Sequence, residues 1–230
     1  MQFRFKLQYL LVRLLVISNK EAMQLITEGS IRINESIVFE NSKINETDEI
    51  FFKDRSIRKP KQMFYCAYHK PRGIETTLNT SIENNLKNAL PFDFDFFPIG
   101  RLDKESEGLL LLTNDGYLYK KLMNKDNAIP KVYEVEVNKD ITNNLLPFLE
   151  NGVEILGKKT LSCNTKQLDH NTFEITLVEG MNRQIRRMCY KAGYLVKKLT
   201  RVSFAGIPLD IQQNQYRQLT ENEIAELKSL

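Results

Sequence analysis

The sequence predicts an α+β protein of two unequal units: a small module over residues 1–58 and a larger domain over residues 64–230 built on a mixed, largely antiparallel sheet. Three observations lead there. Near the amino terminus Leu7, Leu10, Leu11, Leu14 and Leu15 recur at i, i+3, i+4, i+7 and i+8, the stripe of an amphipathic helix. Beyond Phe64 the period changes to two, most cleanly over residues 131–137. Between these regions Arg58-Lys59-Pro60-Lys61 is short, basic and proline-containing, which suits a linker over 59–63.

Taken in order, the first helix is followed by Ser18-Asn19-Lys20-Glu21, a capping box in which the serine hydroxyl accepts from the backbone of the glutamate that returns its carboxylate. It opens a second helix through about Glu28, stopped by Gly29. Ile31, Ile33, Ile37 and Phe39 alternate with polar residues around an Asn34-Glu35-Ser36 turn, as in a hairpin, and Ile50-Phe51-Phe52 closes the module as a strand. In the larger unit, residues 64–69 read as an aromatic strand ending at Lys70-Pro71-Arg72-Gly73. A helix is expected over 81–89, strands over 109–112 and 173–178, and another helix over 181–193.

Composition narrows the function classes. With 42% hydrophobic and 27% charged residues in 230, the chain has the balance of a soluble globular protein. A net charge of only +4 means that affinity for a polyanion must come from clustering. Three scattered cysteines and two histidines argue against a zinc site or a disulfide framework and for a reducing cytoplasm. The basic, apolar amino terminus superficially suggests a signal peptide, but Arg13 interrupts the run and no small-residue cleavage site follows. No other stretch approaches the ~18 apolar residues of a membrane span, so no membrane partner is expected.

The chemistry concentrates in Pro98-Ile99-Gly100-Arg101-Leu102-Asp103-Lys104, which runs through Glu105-Ser106-Glu107-Gly108 into Leu109-Leu110-Leu111-Leu112 and Thr113-Asn114-Asp115-Gly116. A carboxylate on such a turn can be held rigidly and presented into a cleft, as a nucleophile or acid/base requires. As an isolated triplet, Arg-x-Asp reads first as a surface turn whose Asp caps the next element. A second concentration lies in residues 181–201, which hold Arg183, Arg186, Arg187, Lys191, Lys197, Lys198 and Arg201 and no acid. On a helix Arg183 and Arg187 would share a face with Lys191 one turn on, a basic stripe for phosphates or simply a solvated face.

The whole string from Gly100-Arg101-Leu102-Asp103 to Asp115-Gly116 resembles the signature of the RsuA/Rlu-type pseudouridine synthases. The resemblance continues, in the family's order, through Lys70-Pro71-Arg72-Gly73 with Thr76-Thr77, Lys131-Val132-Tyr133-Glu134-Val135, and Gly180-Met181-Asn182-Arg183-Gln184-Ile185-Arg186-Arg187-Met188. Residues 1–58 are similar to the S4 RNA-binding domain that precedes the catalytic domain in that family, although Asn19-Lys20 and Glu35 depart from its usual basic pair and glycine. Their nine Lys/Arg against eight Asp/Glu leave a net charge of +1. Gly206-Ile207-Pro208-Leu209 and the tail from Leu219 to Glu223 look most like the RluF branch, which acts on 23S rRNA.

The resemblance implies an isomerase that breaks the N1–C1′ bond of a flipped-out uridine, rotates the uracil and rejoins it through C5, with no cofactor or metal. It implies Asp103 as nucleophile, Tyr133 against the uracil, and Arg186 paired with Asp103. Leu199 would be an apolar pocket residue, and Arg101 would fill the vacated stack or hold a neighbouring phosphate; read as a plain turn residue, Arg101 would instead form a salt bridge. Tyr133 alone would read as core. Lys70, Arg183, Arg187, Lys191 and Lys198 are the remaining expected RNA contacts. The implied partner is an rRNA stem-loop, in the large subunit or its precursor, met by a monomer; 16S rRNA or tRNA are alternative substrates. A non-catalytic RNA-binding or ribosome-assembly protein on the same scaffold is the rival reading, and a hydrolase lacks a fitting Ser/His/Asp set.

Overall fold

The computed structural model describes residues 6–230, so the first five residues of the predicted amino-terminal segment, with the basic Arg4, lie outside the description. The chain divides into two compact units after Met63.

In the first unit, helices α1 (Leu7–Leu15) and α2 (Asn19–Thr27) precede strands β1 (Ile31–Ile33), β2 (Ser36–Val38), β3 (Ile50–Phe52) and β4 (Arg55–Arg58), which form an antiparallel sheet in the order β2-β1-β3-β4. The helices bury Leu7, Leu11, Ala22 and Ile26 against Ile31, Ile44 and Ile50. Ser18 Oγ accepts from Glu21 N at 3.2 Å while Ser18 N donates to Glu21 Oε2 at 2.8 Å, the reciprocal cap that starts α2. Gly29 ends the helix at φ +69°, a conformation that favours glycine, and a Cβ there would also have to displace the exposed Phe39 ring, whose Cε1 lies 2.6 Å away. The hairpin alternation does not extend to Phe39, which lies beyond β2 and, like Ile37, is exposed.

The second unit runs β5 (Tyr65–Lys70), α3 (Leu86–Ala89), β6 (Phe97–Ile99), β7 (Glu107–Thr113), α4 (Gly116–Met123), β8 (Lys131–Val137), α5 (Leu145–Glu150), β9 (Glu154–Ile155), β10 (Lys158–Lys159), β11 (Asn164–Asp169), β12 (Thr172–Leu177), α6 (Gln184–Lys191), β13 (Val196–Phe204), β14 (Ile207–Pro208), β15 (Tyr216–Gln218) and α7 (Glu221–Ser229). Its main sheet has the order β11-β12-β8-β13-β7-β5-β15, with β14 on β13 and β6 on β7. Every pairing in it is antiparallel except β7 with β13. That parallel seam separates two cores. On one side Cys66, Tyr68, Leu86, Leu110 and Leu112 pack together; on the other, Val135, Phe173, Ile175, Met188 and Leu199 do. Tyr133 touches both.

β7 is buried along its whole length, which is why its sequence reads as an unbroken apolar run. Gly108 makes the seam possible. Its φ is +112°, it pairs with Arg201, and a Cβ there would lie 2.4 Å from both Arg201 N and Arg201 O. Only glycine lets β13 come this close to the start of β7.

Two predicted helices are shorter than expected. The one expected over 81–89 begins only at Leu86, because Asn79 Oδ1 accepts from Ser81 N and Oγ, and this local turn competes with helical bonding. Asn85 then caps the short helix by accepting from Asn88 N at 2.9 Å. The one expected over 181–193 begins at Gln184, since Arg183 takes the left-handed conformation with φ 52°. Arg183 therefore caps the helix instead of lying within it, yet it still lines one groove together with Arg187 and Lys191.

Candidate active site

The turn carrying Asp103 is gripped through its main chain from four sides. Thr76 Oγ1 donates to Leu102 O at 2.7 Å and accepts from Leu102 N at 3.2 Å. Gly73 N donates to Lys104 O at 2.8 Å, Lys70 Nζ to Ser106 O at 2.9 Å, and Arg186 Nη2 to Glu105 O at 3.2 Å. Within the turn Ser106 N donates to Asp103 O at 3.0 Å. The half-buried Asp103 carboxylate itself has no hydrogen-bond or ion-pair partner among the described residues. The fold thus spends its contacts on fixing the backbone and leaves the acid group unsatisfied by protein, as a nucleophile needs.

Asp103 lines a cleft of about 870 Å³ that runs along the seam, within the size range of ligand sites. The cross-strand register builds one wall. Arg201 on β13 pairs with Tyr133 on β8, Leu199 with Val135, and Phe204 with Lys131, past a bulge between Arg201 and Ser203. Directly opposed residues point to one face, so Leu199, Arg201, Tyr133 and Lys131 share it and line the cleft. Arg101, Thr76, Ser106, Arg183 and Gln184 line other parts.

Of the expected site residues, the structure brings Asp103, Tyr133, Arg101, Leu199 and Arg183 to this cleft. Arg101 is exposed and forms no ion pair among the described residues, so the turn salt bridge considered for it is not present. Arg186 does not pair with Asp103. Its Nη1 donates to Val196 O at 3.1 Å and its Nη2 to Glu105 O, so it ties the nucleophile turn to the start of β13. Arg183 pairs with Glu105 at 2.8 Å, which holds that carboxyl below its usual range. Arg187 Nε donates to Asn182 O at 3.1 Å, and Arg187 and Lys191 line a neighbouring groove. Lys198 pairs with Glu107 at 3.2 Å and lines neither cavity.

Lys70, expected to touch RNA, is fully buried beneath the turn, and burial pushes its ammonium down to about 8. Sequence reasoning also missed Thr76 as a clamp and Arg201 as a cleft residue. Arg201 had been counted with the basic cluster facing phosphates, yet it is only 2% exposed. Of four buried polar atoms without partners among the described residues, three (Ser106 Oγ, Arg186 Nε and Arg201 Nη2) belong to residues of the turn, its clamp and the cleft wall, and the fourth is His69 Nε2. Such orphans cost free energy in a native fold, and their concentration here is a mark of a working site. Among the described residues no group of three or more His, Cys, Asp or Glu is placed to hold a metal ion, and no helix is long and apolar enough to cross a membrane.

Known proteins resemble this chain. A family model for RNA pseudouridylate synthases matches residues 65–191. The dual-specificity RNA pseudouridine synthase RluF of Escherichia coli K12 is 37% identical over 222 residues, covering 94% of this chain and 75% of that protein. The ribosomal large subunit pseudouridine synthase B of Bacillus subtilis is 31% identical over 239 residues, covering 98% of this chain and 96% of that protein. The crystal structure of a pseudouridylate synthase matches with a TM-score of 0.69 at 24% identity, over 97% of this chain and 99% of that one, a likeness of fold. With the family model matching more than half of the chain, Asp103 and Tyr133 included, and two relatives aligned over nearly the whole of it, this protein belongs to the RNA pseudouridine synthases, isomerases that act on RNA.

Proposed function

We propose that the protein isomerises a uridine of ribosomal RNA, in the large subunit (23S rRNA), with Asp103 as the nucleophile. The observation that carries this reading is the turn of residues 102–106, clamped through its backbone while the Asp103 carboxylate stays free in a cleft of nucleotide size. A stacked uridine cannot reach that cleft, so the target is flipped out, at a cost of a few kcal/mol. Tyr133 and Leu199 then enclose the uracil, and the exposed, unpaired Arg101 occupies the gap left in the stack or holds the adjacent phosphate. Arg186 acts by fixing the turn at Glu105. Lys191 and the neighbouring groove meet the RNA backbone.

The choice of ribosomal RNA rests on the Bacillus relative, whose name places it on the large ribosomal subunit. The first unit, two helices on a small antiparallel sheet, serves as an S4-like RNA-binding module. The guanidinium of Arg32 lies 3.7 Å from the centre of the Phe51 ring there, a stacked pair of the kind RNA-binding surfaces use. Three buried free cysteines accord with work in a reducing cytoplasm. Pseudouridine mapping of total RNA with and without the gene tests the substrate. One 23S site should vanish on deletion; loss of a 16S or tRNA site instead would reassign the substrate.

A further inference from the structure

We propose that Lys131 and Arg201 form an anion site in the cleft wall that stabilises the uracil as it leaves the ribose with negative charge. This rests on the reading of the cleft as the uridine site, and adds two residues to the chemistry. Both cations line the cleft, and both lie over the same ring: Lys131 Nζ is 5.7 Å and the Arg201 guanidinium 5.0 Å from the centre of Phe204. Neither has a carboxylate partner among the described residues. Lys131 Nζ donates to Ile129 O at 2.9 Å and Val178 O at 3.4 Å, and Arg201 Nε donates to Leu109 O at 2.7 Å. Arg201 Nη2 is left with nothing. The nearby Glu179 is engaged elsewhere, accepting from Leu161 N and from the Gln184 amide.

A buried arginine beside a half-buried lysine, neither with a counter-ion, is costly, and burial together with the Arg201 charge holds Lys131 below its ordinary range. A fold that retains such a pair in its reaction cleft is preorganised for negative charge that arrives later. The isomerisation supplies it. When N1–C1′ breaks, the electron pair remains on N1, and the charge spreads to O2 and O4 of the detached uracil. When C5 returns a pair to C1′, the C5 proton is lost and N1 takes one up, so the sum is neutral. If Asp103 meets C1′ or a ribose proton, the base leaves as this anion; if it adds to C6 of the base, the path from N1 to O4 is interrupted and the charge rests on N1 and O2. Tyr133 lies directly opposite Arg201 and two residues along β8 from Lys131, on the same face, where a stacked base would bring its carbonyl oxygens within their reach.

The test uses two bases that differ in charge at neutral pH: 5-nitrouracil, acidic enough to be an anion, and neutral uracil. Binding of each is followed by NMR on the full-length Asp103→Asn protein, which removes the unpaired carboxylate of the cleft; Glu179, which also lines it, stays engaged by Leu161 N and the Gln184 amide. The anion should bind about tenfold tighter, the worth of roughly one charge-assisted hydrogen bond. Adding Lys131→Gln or Arg201→Gln should abolish the preference. In the otherwise wild-type enzyme each of these changes should slow single-turnover conversion of a 23S rRNA transcript by about 10²-fold with RNA affinity retained. Equal binding of the two bases, or slowed variants that keep the preference, would overturn the proposal. Activity in Asp103→Asn itself would instead refute the nucleophile assignment, so the two failures are distinguishable.

Discussion

Replacing Gly108 by alanine perturbs the one contact that both closes the sheet and seats Arg201 in the cleft. An alanine Cβ would lie 2.4 Å from Arg201 N and O, backbone atoms that cannot swing aside as a flexible side chain could. The residue would also hold a φ of +112°, costing of order 1–3 kcal/mol. If β13 retreats, the two-residue parallel pairing of Thr200 with Glu107 and Arg201 with Gly108 opens, at about 1 kcal/mol for each backbone hydrogen bond lost. A total of about 3–5 kcal/mol corresponds to a melting point lowered by roughly 6–20 °C for a domain of this size. Gly116→Ala is the control: its Cβ would meet nothing within 4 Å, and it opens α4, so it should be neutral or slightly stabilising. Calorimetry of the three proteins decides the matter. A Gly108→Ala protein that melts within about 2 °C of wild type would refute the claim that the seam demands glycine.

Arg186→Lys keeps the charge but loses the fork that joins Glu105 O to Val196 O, so single-turnover conversion should fall by about 10²-fold while RNA affinity holds. Weaker binding at an unchanged rate would make Arg186 a phosphate contact instead. Burial lowers Lys70 from 10.5 to about 8, so between about 8 and 10.5 the unfolded chain binds more protons than the folded one. Stability contributed there is lost as pH falls through about 8, and the advantage of wild type over Lys70→Met should grow as pH rises across this window. Denaturant midpoints measured from pH 7 to 10.5 check it, and a constant difference would contradict it. Lys191→Ala should reduce the salt slope of RNA binding by roughly one counterion, and Arg183→Ala by less, because Arg183 is already paired with Glu105.

Local features were legible because local chemistry decides them. The Ser18 cap, the stop at Gly29, the alternation through Tyr133 and the apolar run of β7 each follow from nearest neighbours in the chain. The string around Asp103 stood out by its resemblance to a family signature, since the Arg-x-Asp triplet by itself reads as a surface turn. What sequence could not give is set by partners far along the chain. Arg183 leaves its helix because its backbone turns left-handed and its side chain finds Glu105, 78 residues away. Arg186 grips Glu105 O rather than Asp103, and Lys70 looks like a surface cation until β5 and β7 bury it. Arg201 counts as one more charge in a basic run, yet at Gly108 it lies inside the seam. Counting charges along a segment says nothing of which are already spent.

The central claim is that the free carboxylate of Asp103 performs the chemistry. Asp103→Asn preserves the volume and leaves the clamps on Thr76, Gly73, Lys70 and Arg186 untouched, since all of them act on backbone atoms. The most direct measurement is single-turnover pseudouridine formation by this variant on a 23S rRNA transcript, with melting point and RNA affinity measured alongside. The account predicts wild-type folding and binding with conversion below about a thousandth of the wild-type rate. Conversion above that level in a folded, RNA-binding variant would contradict it.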